Sequence, residues 1–368
     1  MIELAKKPYR VFIICIVLLL LLTACSTEQA KPQASEGAQP AQSNMRVGFV
    51  ASSRDANKDT VGRQSVVDQL GYNQVTDHVT NGNNVEDSVQ QMVDDGSTVI
   101  FSLSEESKAS LQSVAPNYPD VHFAQLRGDA ALDNVSSFDV RLYQGWYLCG
   151  IAAGDVTKSQ MIGYVAPESN SEVIRAINGF ALGVKGMNTD AKVHVAWGAG
   201  YGKVTEAVAA VNQLIDLGCD VIVCHEPTRE VLSIIRTNNR MVVAPPNDDK
   251  QKELDTFVAA PIYDYGSYYT SVIQAAEKGQ PIPKDFWGGA GENTVKMPLL
   301  GDQISVEAKT KVQEQYDALA HGIMDVFQGP INNQYGLLTV PDGVILEGED
   351  LKYMLWFVDN VVGEIPQG

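Results

Sequence analysis

The sequence lacks the residue arrangements on which most enzyme chemistry depends. It contains no HExxH, GxSxG, GxxxxGK[ST] or paired CxxC motif, so no metal-hydrolase centre, serine nucleophile, phosphate-binding loop or thiol pair is indicated. The histidines show no metal-ligand spacing with cysteine or carboxylate; they are His78, His122, His194, His225 and His321. We therefore expect a protein that is not an enzyme and that uses no metal and no cofactor.

Basic residues are also scarce. Lysine and arginine number 27 against 45 aspartates and glutamates, which gives the chain a net charge of −18. A surface this acidic is repelled by nucleic acid and by anionic lipid. We expect no nucleic-acid partner, and no basic face that would hold the protein on a membrane.

The N-terminus has the pattern of a secretory signal. A basic start precedes an unbroken apolar run over residues 11–22, whereas a membrane-spanning helix needs roughly 20 residues. The run ends in Leu-Thr-Ala-Cys at Cys25, which resembles the lipobox of bacterial lipoproteins. The resemblance implies removal of residues 1–24, acylation of Cys25 with chains such as palmitate, and anchoring on the extracytoplasmic face of the cell membrane. The alternative is an ordinary export signal with a chance cysteine.

Cysteine is sparse for an exported protein. Once Cys15 and Cys25 are set aside, three remain, which excludes a disulfide framework but leaves one bridge open. These are Cys149, Cys219 and Cys224, and we expect buried small hydrophobes. After Cys25, residues 26–44 are rich in Gln, Ala, Ser and Pro without apolar periodicity, which is typical of a flexible tether.

From residue 45 onward, short apolar runs alternate with amphipathic helical patterns. Near-continuous apolar runs are typical of strands buried on both faces of a parallel sheet, and repeated strand–helix units predict doubly wound sheets. The runs cover residues 47–50, 99–103, 121–126, 161–165, 193–197, 220–224 and 241–244. The units fall into two sets, and the Gly- and Ala-rich segment 142–154 between them predicts close helix packing. In the tail we predict one helix over 305–327 and an apolar segment, 351–362, that docks on the core.

Several stretches together resemble the basic membrane protein family of substrate-binding lipoproteins, to which purine-nucleoside receptors belong. They are YQGWYLCGIAAG at 143–154, IGYVAP at 162–167, EVIRAINGFALGVKGMN at 172–188, LGCDVIVCH at 217–225, WGG at 287–289 and the tail 329–366. The resemblance implies two lobes of the periplasmic-binding type I fold with a ligand cleft between them. We expect residues 45–140 and 262–294 in the N-terminal lobe, and residues 141–261 and 295–368 in the C-terminal lobe. It also implies an ABC permease and its ATPase as partners, and we expect a monomer.

The chain departs from the family pattern at two positions. Many members carry a phenylalanine after the first strand that stacks on a nucleobase, and Gly62 stands in its place. A lysine often found near the second crossing between the lobes corresponds to Tyr263. Asp59, Gln64 and Asp248 match the pattern. The resemblance therefore supports the scaffold more strongly than a nucleoside as the solute.

The candidate ligand-binding residues come after predicted strands, where a doubly wound sheet collects its ligands. They are Ser52, Asp55, Asp59, Ser104, Glu105, Tyr201, His225, Glu226, Asn247, Asp248 and Trp287. Most of them have a structural alternative: helix capping for Ser52, Asp55, Ser104 and Glu105, a surface loop for Tyr201, a satisfied structural role for His225, a turn for Asn247 and Asp248, and a hinge contact for Trp287. Gln125 and Arg127 follow the fourth predicted strand as further candidates, and for Arg127 a solvated side chain is the favoured interpretation over a ligand contact.

Three functions are compatible with these features. The first is capture of a small polar, ring-bearing solute, such as a nucleoside or related heterocycle, for an ABC importer by closure of the two lobes. The second is a sensory or regulatory lipoprotein that uses the same fold to signal to a membrane partner. The third, a surface hydrolase, is disfavoured by the missing catalytic motifs.

Overall fold

The computed structural model describes residues 45–52, 59–80, 84–128, 130–198, 200, 202–245 and 255–366. Residues 43–368 form one compact unit, and the described hydrophobic clusters all lie within it. The predictions for Cys25, Asp55, Tyr201, Asn247, Asp248 and the tether lie outside the described residues.

The first sheet is wholly parallel and has the strand order β11-β5-β4-β3-β1-β2. Its strands are β1 (Arg46–Ser52), β2 (Val75–Thr80), β3 (Ser97–Ser102), β4 (His122–Leu126), β5 (Val135–Val140) and β11 (Asp285–Gly288). The helices in the same parts of the chain are α1 (Thr60–Leu70), α2 (Val85–Asp94), α3 (Lys108–Val114) and α8 (Gly266–Glu277).

The second sheet has the order β12-β10-β9-β8-β6-β7-β15 and is parallel except for β12, which runs antiparallel to β10. Its strands are β6 (Met161–Ala166), β7 (Lys192–Trp197), β8 (Val221–Cys224), β9 (Met241–Val243), β10 (Phe257–Tyr263), β12 (Val295–Leu300) and β15 (Val361–Val362). The helices are α4 (Leu142–Val156), α5 (Ser171–Met187), α6 (Val204–Asp216), α7 (Arg229–Thr237), α9 (Val306–Ala320) and α10 (Gly348–Lys352), and a small hairpin joins β13 (Ile331–Asn332) to β14 (Leu338–Val340).

The α/β class with parallel sheets is confirmed, and each of the seven apolar runs predicted as strands forms one. The chain passes between the sheets three times: after β5, between β10 and β11, and between β11 and β12. The lobe boundaries expected from the sequence would divide β10 between Pro261 and Ile262. The division into two lobes stays a prediction.

The Gly- and Ala-rich segment after β5 forms α4, which packs closely against α5 as predicted. A Cβ atom added at Gly183 of α5 would overlap the carbonyl oxygen of Tyr147, and one added at Gly150 of α4 would overlap the carbonyl oxygen of Phe180. Only glycine permits two helix backbones to approach this closely. The reciprocal pair therefore fixes the crossing of the two helices that flank the entry into the second sheet.

The C-terminal tail confirms one prediction made from the sequence and contradicts another. Leu351, Met354, Phe357 and Val358 are buried in the largest hydrophobic cluster, so the docking of segment 351–362 is confirmed. The single helix predicted over 305–327 is wrong, because α9 ends at Ala320. Gly322 follows with a φ of 64°, a left-handed conformation typical of helix ends.

The three cysteines within the described residues are Cys149, Cys219 and Cys224, and they are free and buried, as expected for small hydrophobes. Burial raises the pKa of the Cys224 thiol to about 12 and that of Cys219 to about 11. Across the described ranges, the helices fall short of the length and apolar character that crossing a bilayer requires.

The glycine contact between α4 and α5 yields a test of the packing. Gly183→Ala should lower the free energy of unfolding by about 1–3 kcal/mol, because the added methyl group forces the two helices apart. Gly186→Ala, in the same helix, is the matched control, since nothing lies near its added Cβ and alanine favours helix by about 0.5–1 kcal/mol over glycine. Urea denaturation of residues 43–368 measures both. Equal effects of the two substitutions would contradict the close approach.

Candidate ligand-binding site

Residues that follow strands of the first sheet touch residues that follow strands of the second. Arg127, directly after β4, forms an ion pair of 2.7 Å with Glu172, in the first turn of α5 after β6. Asp59, in the segment after β1, accepts a hydrogen bond of 3.2 Å from the backbone amide of Tyr265, just after β10. In doubly wound folds, ligands bind beyond the carboxyl ends of parallel strands. Here those ends of both sheets converge on one region.

Ser52 and Ser104 join the ends of three strands in the first sheet. The Ser104 hydroxyl accepts a hydrogen bond of 2.6 Å from the Ser52 amide, and the Ser104 carbonyl accepts one of 2.9 Å from the Gln125 side chain. Both serines are buried, whereas Glu105, which begins a short 3₁₀ helix, is exposed. Ser104 makes no side-chain cap there, so the capping-box alternative is wrong, and its hydroxyl holds β3 to β1 instead.

Asp59 caps α1 from a left-handed conformation with a φ of 55°. Its Oδ1 accepts hydrogen bonds of 3.2 Å from the amides of Gly62 and Tyr265. Burial raises the pKa of Asp59 to about 6, and hydrogen bonds to its ionised form offset only part of this effect. Asp59, which the sequence predicts as a ligand contact, therefore also caps α1 and bonds this helix to the segment that leaves the second sheet after β10.

His225 and Glu226 follow β8 at the corresponding edge of the second sheet. The His225 Nε2 lies 2.5 Å from the Tyr164 hydroxyl, and its ring stacks on Trp146 at a centroid distance of 4.6 Å. Tyr164 and Trp146 are both buried, so they hold the imidazole from the core side. His225 is half-buried and Glu226 is exposed. A histidine held in this way presents a fixed polar group at the strand end.

Two guanidinium groups lie close to the half-buried indole ring of Trp287. The guanidinium carbons of Arg141 and Arg175 lie 5.0 Å and 5.3 Å from the centroid of its indole ring. Arg141 Nε also donates a hydrogen bond of 3.1 Å to the Trp287 carbonyl. Because Arg141 and Trp287 stand beside points where the chain passes between the sheets, these contacts favour the hinge interpretation of Trp287 over a cleft wall.

Arg127 is not a solvated side chain, contrary to the interpretation from the sequence. It bonds Glu172 at 2.7 Å and Asp139 of β5 at 3.3 Å. Burial alone would lower the pKa of Arg127, but the carboxylates of Glu172 and Asp139 outweigh it and raise the pKa. Burial in turn raises the pKa of Glu172, against the opposing effect of Arg127. The contact with Glu172 joins segments 45 residues apart in the chain, so no local pattern in the sequence could have found it.

Of the two positions expected to depart from the family pattern, Tyr263 bonds backbone and Gly62 packs against a side chain. The Tyr263 hydroxyl donates a hydrogen bond of 2.9 Å to the Leu142 carbonyl. Gly62 is buried beneath Asp59, and a Cβ atom at this position would come within 2.6 Å of both carboxylate oxygens. A side chain larger than glycine at position 62 therefore requires a different position for Asp59.

Among the residues that the structure describes, no group of three or more His, Cys, Asp or Glu side chains is arranged to hold a metal ion. The residues that reasoning from the sequence missed, Glu172, Asp139, Tyr164, Trp146 and Arg175, lie inside strands or helices. Their apolar or helical surroundings carried no sign of a site.

Comparisons with known proteins agree with this architecture. A solute-binding protein of an ABC transporter system from Conexibacter woesei has a solved structure that superposes with a TM-score of 0.63 over 76% of this chain and 98% of that chain, at 18% identity. The fold is thus that of the type I periplasmic-binding-like proteins.

Sequence comparison identifies the family. The profile described as ABC transporter substrate-binding protein PnrA-like matches residues 44–326, and the chain belongs to this Bmp family. A purine-binding protein of Brucella abortus is 26% identical over 90% of this chain and 97% of its own length. A candidate glucose-binding protein of an ABC transporter from Haloferax volcanii is 28% identical over 73% of this chain and 66% of its own length.

The raised pKa of Asp59 predicts a pH-dependent effect of Asp59→Asn. Because the pKa in the folded protein, about 6, exceeds the ordinary value of 3.8, the contribution of Asp59 to stability is present in acid and is lost as the pH rises through 6. Asparagine keeps an acceptor oxygen without the charge. Relative to the unchanged protein, the variant should gain about 2 kcal/mol between pH 4 and pH 7.5. Urea denaturation at both pH values measures the difference, and an equal difference at both would contradict a buried, titrating Asp59.

Proposed function

We propose that this protein captures a small polar, ring-bearing solute for an ABC importer by closing its two sheets around it. One observation carries the proposal: Arg127, which follows β4 of the first sheet, forms an ion pair with Glu172, which follows β6 of the second sheet, so segments beyond parallel strands of the two sheets are in contact. A solute held between these segments would touch both halves at once, and its binding energy would favour the closed form.

The relatives support the chemical class of the solute. One is named for purine binding and the other as a candidate for glucose binding, and both names refer to compact polar rings. Aromatic and imidazole groups can stack on or hydrogen-bond a heterocycle, and His225 offers such a group beside Trp146. Ser52, Ser104, Glu105 and Glu226 remain proposed contacts on the two opposing edges, as do Asp55, Tyr201, Asn247 and Asp248. Trp287 is the least supported of the proposed ligand contacts, because the guanidinium groups of two arginines already lie close to its ring.

The proposal includes the cellular setting. An acylated Cys25 would hold the mature protein on the extracytoplasmic face of the membrane, residues 26–44 would provide reach, and a permease with its ATPase would receive the closed form. In this scheme the two lobes comprise residues 45–140 with 262–294 and residues 141–261 with 295–368. The lobes turn about the chain segments that connect the sheets, where Trp287 and Arg141 lie.

Solute capture predicts thermal stabilisation by ligands of the right class. Residues 43–368 should melt several degrees higher with at least one purine, nucleoside or cyclic sugar, because a ligand at 100 times its Kd stabilises the folded state by about 2.7 kcal/mol. Sorbitol, which has hydroxyl groups but no ring, is the matched control for glucose. If none of these compounds stabilises the protein, the capture hypothesis is contradicted and the regulatory hypothesis remains.

His225 provides a test at the level of a single side chain. His225→Ala should weaken the binding of the best compound in that panel about tenfold or more, as measured by calorimetry, because one hydrogen-bonding group is lost. His321→Ala is the control, since His321 ends α9 on the surface and bonds only the Asp317 carbonyl among the described contacts. Equal affinities of the two variants would place His225 outside the site.

A further inference from the structure

The Arg127–Glu172 ion pair connects the two sheets through groups that belong to the protein itself. Arg127 Nη2 and Glu172 Oε1 are 2.7 Å apart, and the side chains are 30% and 24% exposed. A charge-assisted hydrogen bond of this length is stronger than a neutral one, and partial burial reduces its screening by salt. The contact therefore biases the relative position of the two sheets before any solute arrives.

Arg127 is fixed on the first sheet. Its backbone has a φ of 52°, and its amide donates a hydrogen bond of 2.9 Å to the Phe138 carbonyl of β5. Its Nε lies 3.3 Å from Asp139 Oδ1, an oxygen that also accepts a hydrogen bond of 2.8 Å from the Val140 amide. The guanidinium is thus positioned by β5 while one nitrogen extends to the second sheet.

The backbone of Glu172 is fixed on the second sheet by a capped helix. It lies in the first turn of α5, and Asn170 caps this helix by accepting a hydrogen bond of 3.0 Å from the Val173 amide. Because Arg127 is positioned in advance by Asp139, less side-chain entropy is lost on pairing than when both partners are flexible. That loss is one reason why flexible surface ion pairs contribute little.

A second ion pair on α5 shows what the Arg127–Glu172 pair does differently. Lys185 and Asp359 are also 2.7 Å apart, with side chains 41% and 27% exposed. Asp359 lies two residues before the strand β15, which pairs with β7, so both partners of this ion pair belong to the second sheet and its helices. Breaking it should leave the relation between the sheets unchanged.

We propose that Arg127 and Glu172 form a latch that holds the two sheets in the closed arrangement without bound solute. This inference rests on the proposed closure of the sheets about a solute. The latch raises the fraction of molecules that are already competent to hold the solute. Because apparent affinity scales with that fraction, loss of the latch weakens binding even if neither side chain touches the solute.

The distance between the sheets tests the latch directly. Spin labels at Gln91→Cys on α2 and Gln213→Cys on α6 occupy exposed positions on helices of opposite sheets. The native cysteines that the structure describes are at most 3% exposed, so they should not take the label. Without solute, Glu172→Gln should raise the ratio of long to short label distances about tenfold, the loss expected when one charge-assisted hydrogen bond is removed. Asp359→Asn, which makes the same change in the control pair, should leave the ratio unchanged.

Arg127→Met provides the second variant, with Lys185→Met as its control, and it should reproduce the shift of Glu172→Gln. Combining Arg127→Met with Glu172→Gln should add little, because either change removes the same contact.

If the distances respond to adenosine or glucose but to neither latch variant, the latch is wrong and the capture function stands. If they respond to neither variant nor to any compound that binds, the sheets do not close, and both proposals fail.

Discussion

Parallel strand order is the constraint from which the rest of the molecule follows. Within the first sheet every strand runs in one direction, and within the second only β12 is reversed. All connections that leave the carboxyl ends therefore emerge at a single edge of each sheet. Three passages of the chain keep the two edges together. The ion pair between Arg127 and Glu172 and the hydrogen bond between Asp59 and Tyr265 are consequences of that arrangement.

The side chains around this region differ in what they contact. Tyr263 bonds backbone, Gly62 leaves room for Asp59, and the guanidinium groups of Arg141 and Arg175 lie close to the Trp287 ring. His225 is held from behind by Tyr164 and Trp146 and stays half-buried. Of these positions, Gly62 bears on the candidate site through the room that it leaves for Asp59.

The sequence predicted those parts of the fold that leave a local pattern. Continuous apolar runs marked β1, β3, β4 and β6 to β9, because strands buried on both faces contain few polar residues. The pattern missed β2 at the sheet edge, where Val79 is 59% exposed and polar residues alternate with apolar ones. It extended α9 too far, because Ile323 has helical spacing but is 76% exposed beyond the end of the helix. The partner of Arg127 lies in a different sheet, and only the folded chain brings it within reach.

In the proposed function, a solute is held between the strand ends of both sheets. The most direct measurement is a titration of isotope-labelled residues 43–368 with the tightest-binding compound, followed by amide NMR. The account predicts the largest shifts at Asp59, Glu105 and His225, on both sides of the region, with smaller changes on the outer helices. Shifts confined to one sheet, or to helix surfaces away from the strand ends, would contradict it.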